Sequence, residues 1–483
     1  MGPEGGWRLR FADGTLSLCP ADPLCPAAEV SGPRAPARAA DELAAIEAAG
    51  PPVDDLVWDK RVGGWRGRAE RYAALVLALR AAGQPLIDEA RRWAPLPLPL
   101  LATRSARPYQ QAALEAWVAA GKRGTVVLPT GAGKSHLAEL CMQAAARPTL
   151  VVAPTLDLVS QWHARLSVAF GLEVGLLGGG QHELRPVTVS TYDSMALHIG
   201  RYGDRFGLIV WDEVHHLPAP VSLAAARCAM APFQLGLTAT LERPDGREDA
   251  LVPLVGPVVY RKEITELSGD YLADYEVVRL EVALGPAERA DYDAHQARFR
   301  AFVEQAGVQL GGPMGWTNFL RAAARSREGR AAHQAWLAAR RIAHGNDQKI
   351  ELLATLLQEE AGRRAIVFTH DNATAYRVSR ALLLPCITHH TDLKERRALL
   401  EAFTAGALPT LVTSRVLNEG VDLPAAEVAI VLSGTGTVRE HVQRLGRILR
   451  PMPGKRAVLY ELVAAGTREL HTSDRRRSHD AYR

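Results

Sequence analysis

Three groups of residues in this 483-residue sequence have the types and spacing that phosphoryl transfer needs. The first is Leu128-Pro-Thr130-Gly131-Ala-Gly133-Lys134-Ser135. Between a strand and a helix, Gly131 and Gly133 let backbone N–H groups turn inward around a phosphate at the positive helix end. Lys134 would then reach the β- and γ-phosphates of ATP, and Ser135 would hold Mg²⁺. Leu128 stands where the strict pattern begins with glycine, so a Gly-rich structural turn competes for this stretch taken alone.

The second group is Asp212-Glu213-Val-His215, which follows the apolar run Leu208-Ile-Val-Trp211. Transfer of phosphate to water needs one carboxylate behind the metal and a second that orients and deprotonates the water. This assigns Asp212 to Mg²⁺ and Glu213 to the base. The third group is Gln443-Arg444-Leu-Gly-Arg447-Ile-Leu-Arg450. On a helix, Arg447 and Arg450 share one face, the arrangement of arginine fingers that neutralise charge on a transferring γ-phosphate. Each group has a bland counterpart, respectively a turn, a surface acidic pair and a basic helix end. Their joint occurrence in this order does not.

These residues need a scaffold that brings them to one edge. Residues 99–268 alternate short apolar runs with helical stretches: 124–130 before 134–146, 149–154 before 156–170, and 207–210 before His215. A second series starts at Arg363 with AIVFT and continues through TLVTS, VAIVLS and AVLYEL. Apolar runs alternating with helices indicate parallel sheets covered on both faces, hence an α/β chain with two similar lobes. The expected division is an N-terminal domain and linker over 1–98, a first lobe over 99–268, a helical insert over 269–345 and a second lobe over 346–483. The strand pattern stops between about Gly285 and Gly345, where nine arginines stand against five acids. Trp316, Phe319 and Trp336 are spaced among them like a surface that stacks bases and contacts phosphates, with Arg321 and Arg325 beside it. A solvated helix pair is the alternative.

Composition sets the outer limits. Apolar residues at 47% and charged residues at 23% describe a globular chain and exclude collagen-like or disulfide-dense classes. The five cysteines, Cys19, Cys25, Cys141, Cys228 and Cys386, form no metal-ligand pair, which argues against an iron–sulfur centre. No run of about eighteen apolar residues is present and MGPEGGWRLR lacks a signal-peptide core, so a cytoplasmic protein without a membrane partner is expected. Net charge is only +4, so any nucleic-acid footprint must be local.

The order of motifs resembles the superfamily 2 helicases, and particularly the XPB family in its shorter prokaryotic branch. The resembling segments are Arg107-Pro-Tyr-Gln110, LPTGAGKS, APTLDLVSQW, STYDSM, WDEVHHLP, LGLTATLERPDG, LNEGVDLPAAEV, LSGTGTVREHVQRLGRILRP and VLYELVAAGT, with WDKRVGGWRGRAERYAAL near the N-terminus. The resemblance implies two RecA-like lobes, a damage-recognition-like N-terminal domain and a thumb-like insert. It implies ATP-dependent 3′-to-5′ DNA unwinding or remodelling in excision repair, with ATP and Mg²⁺, and a nuclease partner. By matching motif, Arg107 and Gln110 would contact the adenine end, Gly420 and Asp422 would line the nucleotide face of the second lobe, and His215, Thr238 and Thr240 would couple ATP state to lobe movement. Where the family often carries Arg-Glu-Asp after the T-A-T segment, this chain has Arg243-Pro244-Asp245, expected at the DNA, so translocation is better supported than efficient unwinding. A duplex translocase, an ATP-gated clamp that recruits a nuclease and an RNA helicase remain open readings.

Overall fold

The computed structural model describes residues 6–21, 44–45, 47–48, 50–51, 54, 56–101, 104–241, 246–267, 269, 271, 274–312, 314–414, 426–433 and 456–477. The chain divides into two compact units, residues 1–127 with 133–261, and residues 128–132 with 262–483.

The first unit begins with a small sheet of β1 (Trp7–Ala12), β2 (Thr15–Pro20), β3 (Val57–Asp59), β4 (Gly64–Arg68) and β5 (Leu86–Asp88), in the order β3-β4-β2-β1-β5. Alternation along β1 and β2 puts Trp7, Leu9, Leu16 and Leu18 on one face, against Leu75 and Leu79 of the helix Tyr72–Ala81. The segment read as a linker is a docked strap rather than a free tether. Along it Arg92 N donates to Asp204 O at 3.0 Å, Leu96 N to Ala146 O at 2.9 Å and Leu101 N to Ala169 O at 2.8 Å, while Trp93 and Leu98 are buried. Its prolines favour extended backbone, which leaves N–H groups free to bond the neighbouring domain.

The larger sheet of this unit contains β6 (Arg123–Val127), β7 (Thr149–Ala153), β8 (Gly175–Gly178), β9 (Gln181–Glu183), β10 (Val187–Thr191), β11 (Leu208–Asp212), β12 (Phe233–Thr238) and β13 (Val258–Arg261). Their order is β13-β6-β12-β11-β7-β10-β8-β9, parallel except for the β8–β9 hairpin. β7, β10 and β11 are buried at every residue, as strands covered on both faces must be. The C-terminal ends of β6 and β11 lead into the Gly-rich loop and carry Asp212.

Among the described residues the second unit has six parallel strands, β14 (Asp274–Val282), β15 (Ala365–Phe368), β16 (Cys386–Ile387), β17 (Thr410–Thr413), β18 (Val428–Val431) and β19 (Arg456–Ala464). Their order is β14-β19-β18-β15-β17-β16. β14 pairs with β19 over all nine residues, so the second sheet starts at Asp274, inside the span 269–345 expected to be insert. The helical part comprises Pro286–Gln305, Gly315–Ala324 and Arg327–Gly345. It has its own small core of Phe299, Phe319 and Ala323. Among the described residues no helix is long and apolar enough to cross a membrane.

Candidate active site

β6 runs directly into the loop that ends at Gly133, and the helix Lys134–Ala145 begins there. Gly131 and Gly133 have φ of +86° and +82°, values that side chains make costly. Gln110, on the helix Pro108–Ala119, holds the turn from outside. Its Oε1 accepts from Arg107 N at 3.0 Å and its Nε2 donates to Gly133 O at 3.2 Å. Arg107 Nη1 donates in turn to Tyr109 OH at 3.1 Å. A Cβ on residue 133 would lie 2.6 Å from Gln110 Nε2. Gly133→Ala therefore combines a left-handed alanine, at about 1–2 kcal/mol, with displacement of Gln110. Affinity for a fluorescent ATP analogue should fall by at least about ten-fold, the equivalent of 1.4 kcal/mol; affinity equal to wild type would remove Gly133 from the phosphate cradle.

At the end of β11, Asp212 is 7% exposed and both its oxygens are engaged. Oδ1 accepts from Glu213 N at 3.1 Å and Oδ2 from Trp162 Nε1 at 2.8 Å. Tyr192 OH donates to Asp212 O at 3.0 Å. Burial pushes the Asp212 carboxyl up to about 6 and the Glu213 charge adds to this, while the Trp162 N–H and the Lys134 ammonium oppose it. A buried carboxylate beside a second one is a site whose cost a divalent cation offsets. Thr130 Oγ1 is buried with no hydrogen-bond partner among the described residues, a donor open to a ligand at the loop. Among the described residues no group of three or more His, Cys, Asp or Glu is arranged to hold a metal ion by itself. Magnesium does not need one, since a hydroxyl, one carboxylate, phosphate oxygens and water complete its shell. The residues present, Ser135 and Asp212, fit that ion.

Glu213 has φ +48° and ψ +55°, an uncommon conformation for a side chain of this size. It sends the backbone into a short 3₁₀ turn, Val214–His216, which buries His215 completely. His215 Nδ1 is 3.0 Å from Thr238 Oγ1 and 3.4 Å from Glu213 Oε2. The Thr238 hydroxyl donates to Thr240 O at 2.7 Å and accepts from Thr240 N at 3.2 Å. With its own proton so used, Thr238 Oγ1 accepts the proton on His215 Nδ1, which fixes the tautomer. A polar path therefore runs from Glu213 through His215 to Thr238 and Thr240 at the end of β12.

The structure thus brings together Arg107, Gln110, Gly133, Lys134, Ser135, Asp212, Glu213, His215, Thr238 and Thr240 within the first unit. Gly420, Asp422, Gln443, Arg447, Arg450, Arg243 and Asp245 lie outside the described residues. Trp162 and Tyr192 were not singled out from the sequence, although both fall in quoted segments, APTLDLVSQW and STYDSM. For Tyr192 the available signal was an aromatic with a polar tip directly after a buried strand, whereas Trp162 lies within the helix that follows β7 and carried no such signal.

In the helical insert, Trp316 is 37% exposed and its ring lies 4.5 Å from Trp336. Arg340 covers Trp336 at 4.7 Å, and Arg321 and Arg325 are exposed. Phe319 does not belong to a stacking surface. It is fully buried, 5.2 Å from Phe299, because a helix packed on a small core spends its inward aromatic there.

Comparison with known proteins agrees with this architecture along the chain. Residues 9–90 match the Xeroderma pigmentosum group B helicase damage recognition domain, 104–243 the Type III restriction enzyme res subunit, and 338–480 the ERCC3/RAD25/XPB C-terminal helicase. The DNA 3′-5′ translocase XPB2 of Sulfurisphaera tokodaii is 39% identical over 86% of this chain and 95% of its own. The DNA 3′-5′ helicase XPB of Mycobacterium tuberculosis is 32% identical over 74% of this chain, which spans 60% of that relative. The crystal structure of the Pyrococcus furiosus Hef helicase domain shares the fold, with a TM-score of 0.53 at 19% identity over 76% of this chain and 97% of that one. With matches in all three regions, in chain order, and a relative of nearly the same extent, the chain belongs to the XPB family of DNA helicases and translocases.

Proposed function

We propose that this chain is an ATP-driven DNA motor that moves 3′ to 5′ and remodels or unwinds DNA in repair, probed most directly at Glu213. The observation that carries this reading is the polar path from Glu213 through His215 to Thr238 and Thr240, directly behind a phosphate loop. A carboxylate that only decorated a surface would have no reason to sit in a left-handed conformation against a buried histidine.

In this reading Gly131, Gly133 and the first N–H groups of the helix at Lys134 bind the phosphates, and Lys134 neutralises them. Thr130 offers its hydroxyl to the nucleotide and Gln110 holds the loop's shape, with Arg107 and Gln110 at the adenine end. Magnesium held by Ser135 and Asp212 would supply charge stabilisation to the γ-phosphate. Glu213 orients the attacking water and takes its proton. Proton gain on Glu213 alters its interaction with His215 Nδ1, and the change reaches Thr238 and Thr240. Arg447 and Arg450, with Gln443, act on the γ-phosphate from the second lobe, where Gly420 and Asp422 line the nucleotide face. On the DNA side, Trp316 offers a ring face with Arg321 and Arg325 nearby, while Arg243 and Asp245 act near the strand junction. Backbone contacts make such binding salt-dependent and largely sequence-neutral. The setting is cytoplasmic, and a nuclease is the partner that the family resemblance supplies.

A translocase that moves on duplex without opening it is the second reading, favoured by Pro244 in place of the family's middle carboxylate. Strand displacement on 3′- and 5′-tailed duplexes, run beside triplex displacement with ATP and Mg²⁺, tests both. The expected result is ATP-dependent displacement on the 3′-tailed duplex, abolished in Lys134→Ala. Triplex displacement without duplex opening selects the translocase, and full activity in Lys134→Ala sinks the motor reading altogether.

A further inference from the structure

The structure assigns Trp162 and Tyr192 as positioning residues for Asp212, one fixing its carboxylate and the other its main chain, so that this carboxylate meets the magnesium ion of bound ATP in a single orientation. The assignment rests on the ATP reading above and adds two residues to it.

A carboxylate has two oxygens with about four lone-pair sites between them. In Asp212 one site on Oδ2 is taken by the Trp162 indole N–H at 2.8 Å, and one on Oδ1 by Glu213 N at 3.1 Å. Rotation about the Cβ–Cγ bond, short of the half-turn that only exchanges the two oxygens, breaks both at once inside a buried site. Each oxygen keeps a lone pair for something else. The two aromatics come from neighbouring strand–helix units. Trp162 lies on the helix Leu156–Phe170, which follows β7 and starts at Thr155, whose Oγ1 accepts from Leu158 N at 3.3 Å. Tyr192 opens the helix Tyr192–Tyr202 that follows β10, where Thr191 Oγ1 accepts from Ser194 N at 3.1 Å. In the sheet order β11-β7-β10 the strand carrying Asp212 is separated from β10 by β7 alone, so a long side chain such as tyrosine can span the gap. Trp162 and Tyr192 are 3% and 6% exposed, and their rings are held by packing in the core of the lobe.

Outer hydrogen-bond partners of metal ligands hold ligand orientation, and their loss typically weakens metal affinity by about 10–100-fold. Trp162→Phe keeps a six-membered aromatic ring but removes the N–H with the five-membered ring that carries it, and Tyr192→Phe removes only one hydroxyl. Binding of a fluorescent ATP analogue, titrated with Mg²⁺ and repeated in chelator, reads the effect without needing turnover. For Trp162→Phe, the Mg²⁺ concentration that half-saturates the nucleotide complex should rise by roughly 10–100-fold, with metal-free nucleotide affinity unchanged; Tyr192→Phe should move it in the same direction by less. A simple packing role would instead lower both affinities by one common factor, and that result overturns the assignment. So does an unchanged Mg²⁺ dependence in Trp162→Phe. Should Trp162→Phe fail to fold, an unchanged Mg²⁺ dependence in Tyr192→Phe overturns it equally. A wild-type protein that binds no nucleotide overturns the ATP reading, and this assignment with it; normal wild-type binding alongside insensitive variants overturns this assignment alone.

Discussion

Glu213→Gln is expected to lower the turnover of DNA-stimulated ATP hydrolysis by roughly 10²–10⁴-fold, the usual contribution of a positioned general base. The amide has nearly the shape of the carboxylate but cannot take a proton from water. Its oxygen can still lie near His215 Nδ1, now 3.4 Å from the carboxylate, so the path to Thr238 should survive while chemistry stops. Nucleotide affinity should therefore stay near wild type, and phosphate release and binding together separate the two effects. The backbone supplies an independent control. Residue 213 has φ +48°, and a non-glycine residue held in such a region carries a cost on the order of 1–3 kcal/mol. Glu213→Gly should relieve that strain and raise the thermal midpoint of the protein, yet be as inactive as the glutamine variant. A glutamine variant turning over near the wild-type rate would remove Glu213 from the chemistry.

Much of this site was legible because its residues are close in sequence or lie at strand ends. A buried parallel strand is a continuous apolar run, so Leu208–Trp211 announced itself and the carboxylates after it had a defined place. What the sequence concealed were partners distant along the chain. Asp212 and Trp162 meet only because β11 and β7 pair, and nothing in LDLVSQW reveals which carboxylate an indole N–H will reach. β14 was taken into the insert for a similar reason. Its residues DYEVVRLEV alternate weakly beside a helical stretch, and the strand that completes it, β19, comes after the rest of the second lobe. Phe319 shows the opposite error: an aromatic among arginines suggests a stacking surface, but the three insert helices need a core and Phe319 fills it. Sequence spacing placed these aromatics on helices without showing which face turned inward.

Lys349 is the residue whose sequence context misleads most, and its removal carries the second large expected effect. In Asn-Asp-Gln-Lys-Ile it looks like an ordinary solvated residue at a helix start. In the structure its side chain is fully buried, and Nζ donates to Glu469 Oε2 at 2.7 Å and to Leu432 O at 2.8 Å. Glu469 Oε2 also accepts from Ala464 N at 2.8 Å. One ammonium thus ties the helix Asp347–Glu359 to the end of β18, the end of β19 and the helix Arg468–Arg477. Taking two charges out of water is costly, and their attraction balances that cost only while both are present. Lys349→Ala leaves Glu469 buried without its cation and should destabilise the second unit by about 3–5 kcal/mol. For a unit of this size each kcal/mol moves the midpoint by about 2–4 °C, so calorimetry should resolve a large downward shift. The pair Lys349→Met with Glu469→Gln removes both charges, keeps the stem's packing and leaves an acceptor for Ala464 N. It should recover more than half of the loss, because the penalty of the single variant lies in the stranded charge. A loss below about 1 kcal/mol for Lys349→Ala would place this pair among solvent-screened bridges. The same loss in the single and double variants would assign the stabilisation to the bond with Leu432 O rather than to the paired charges.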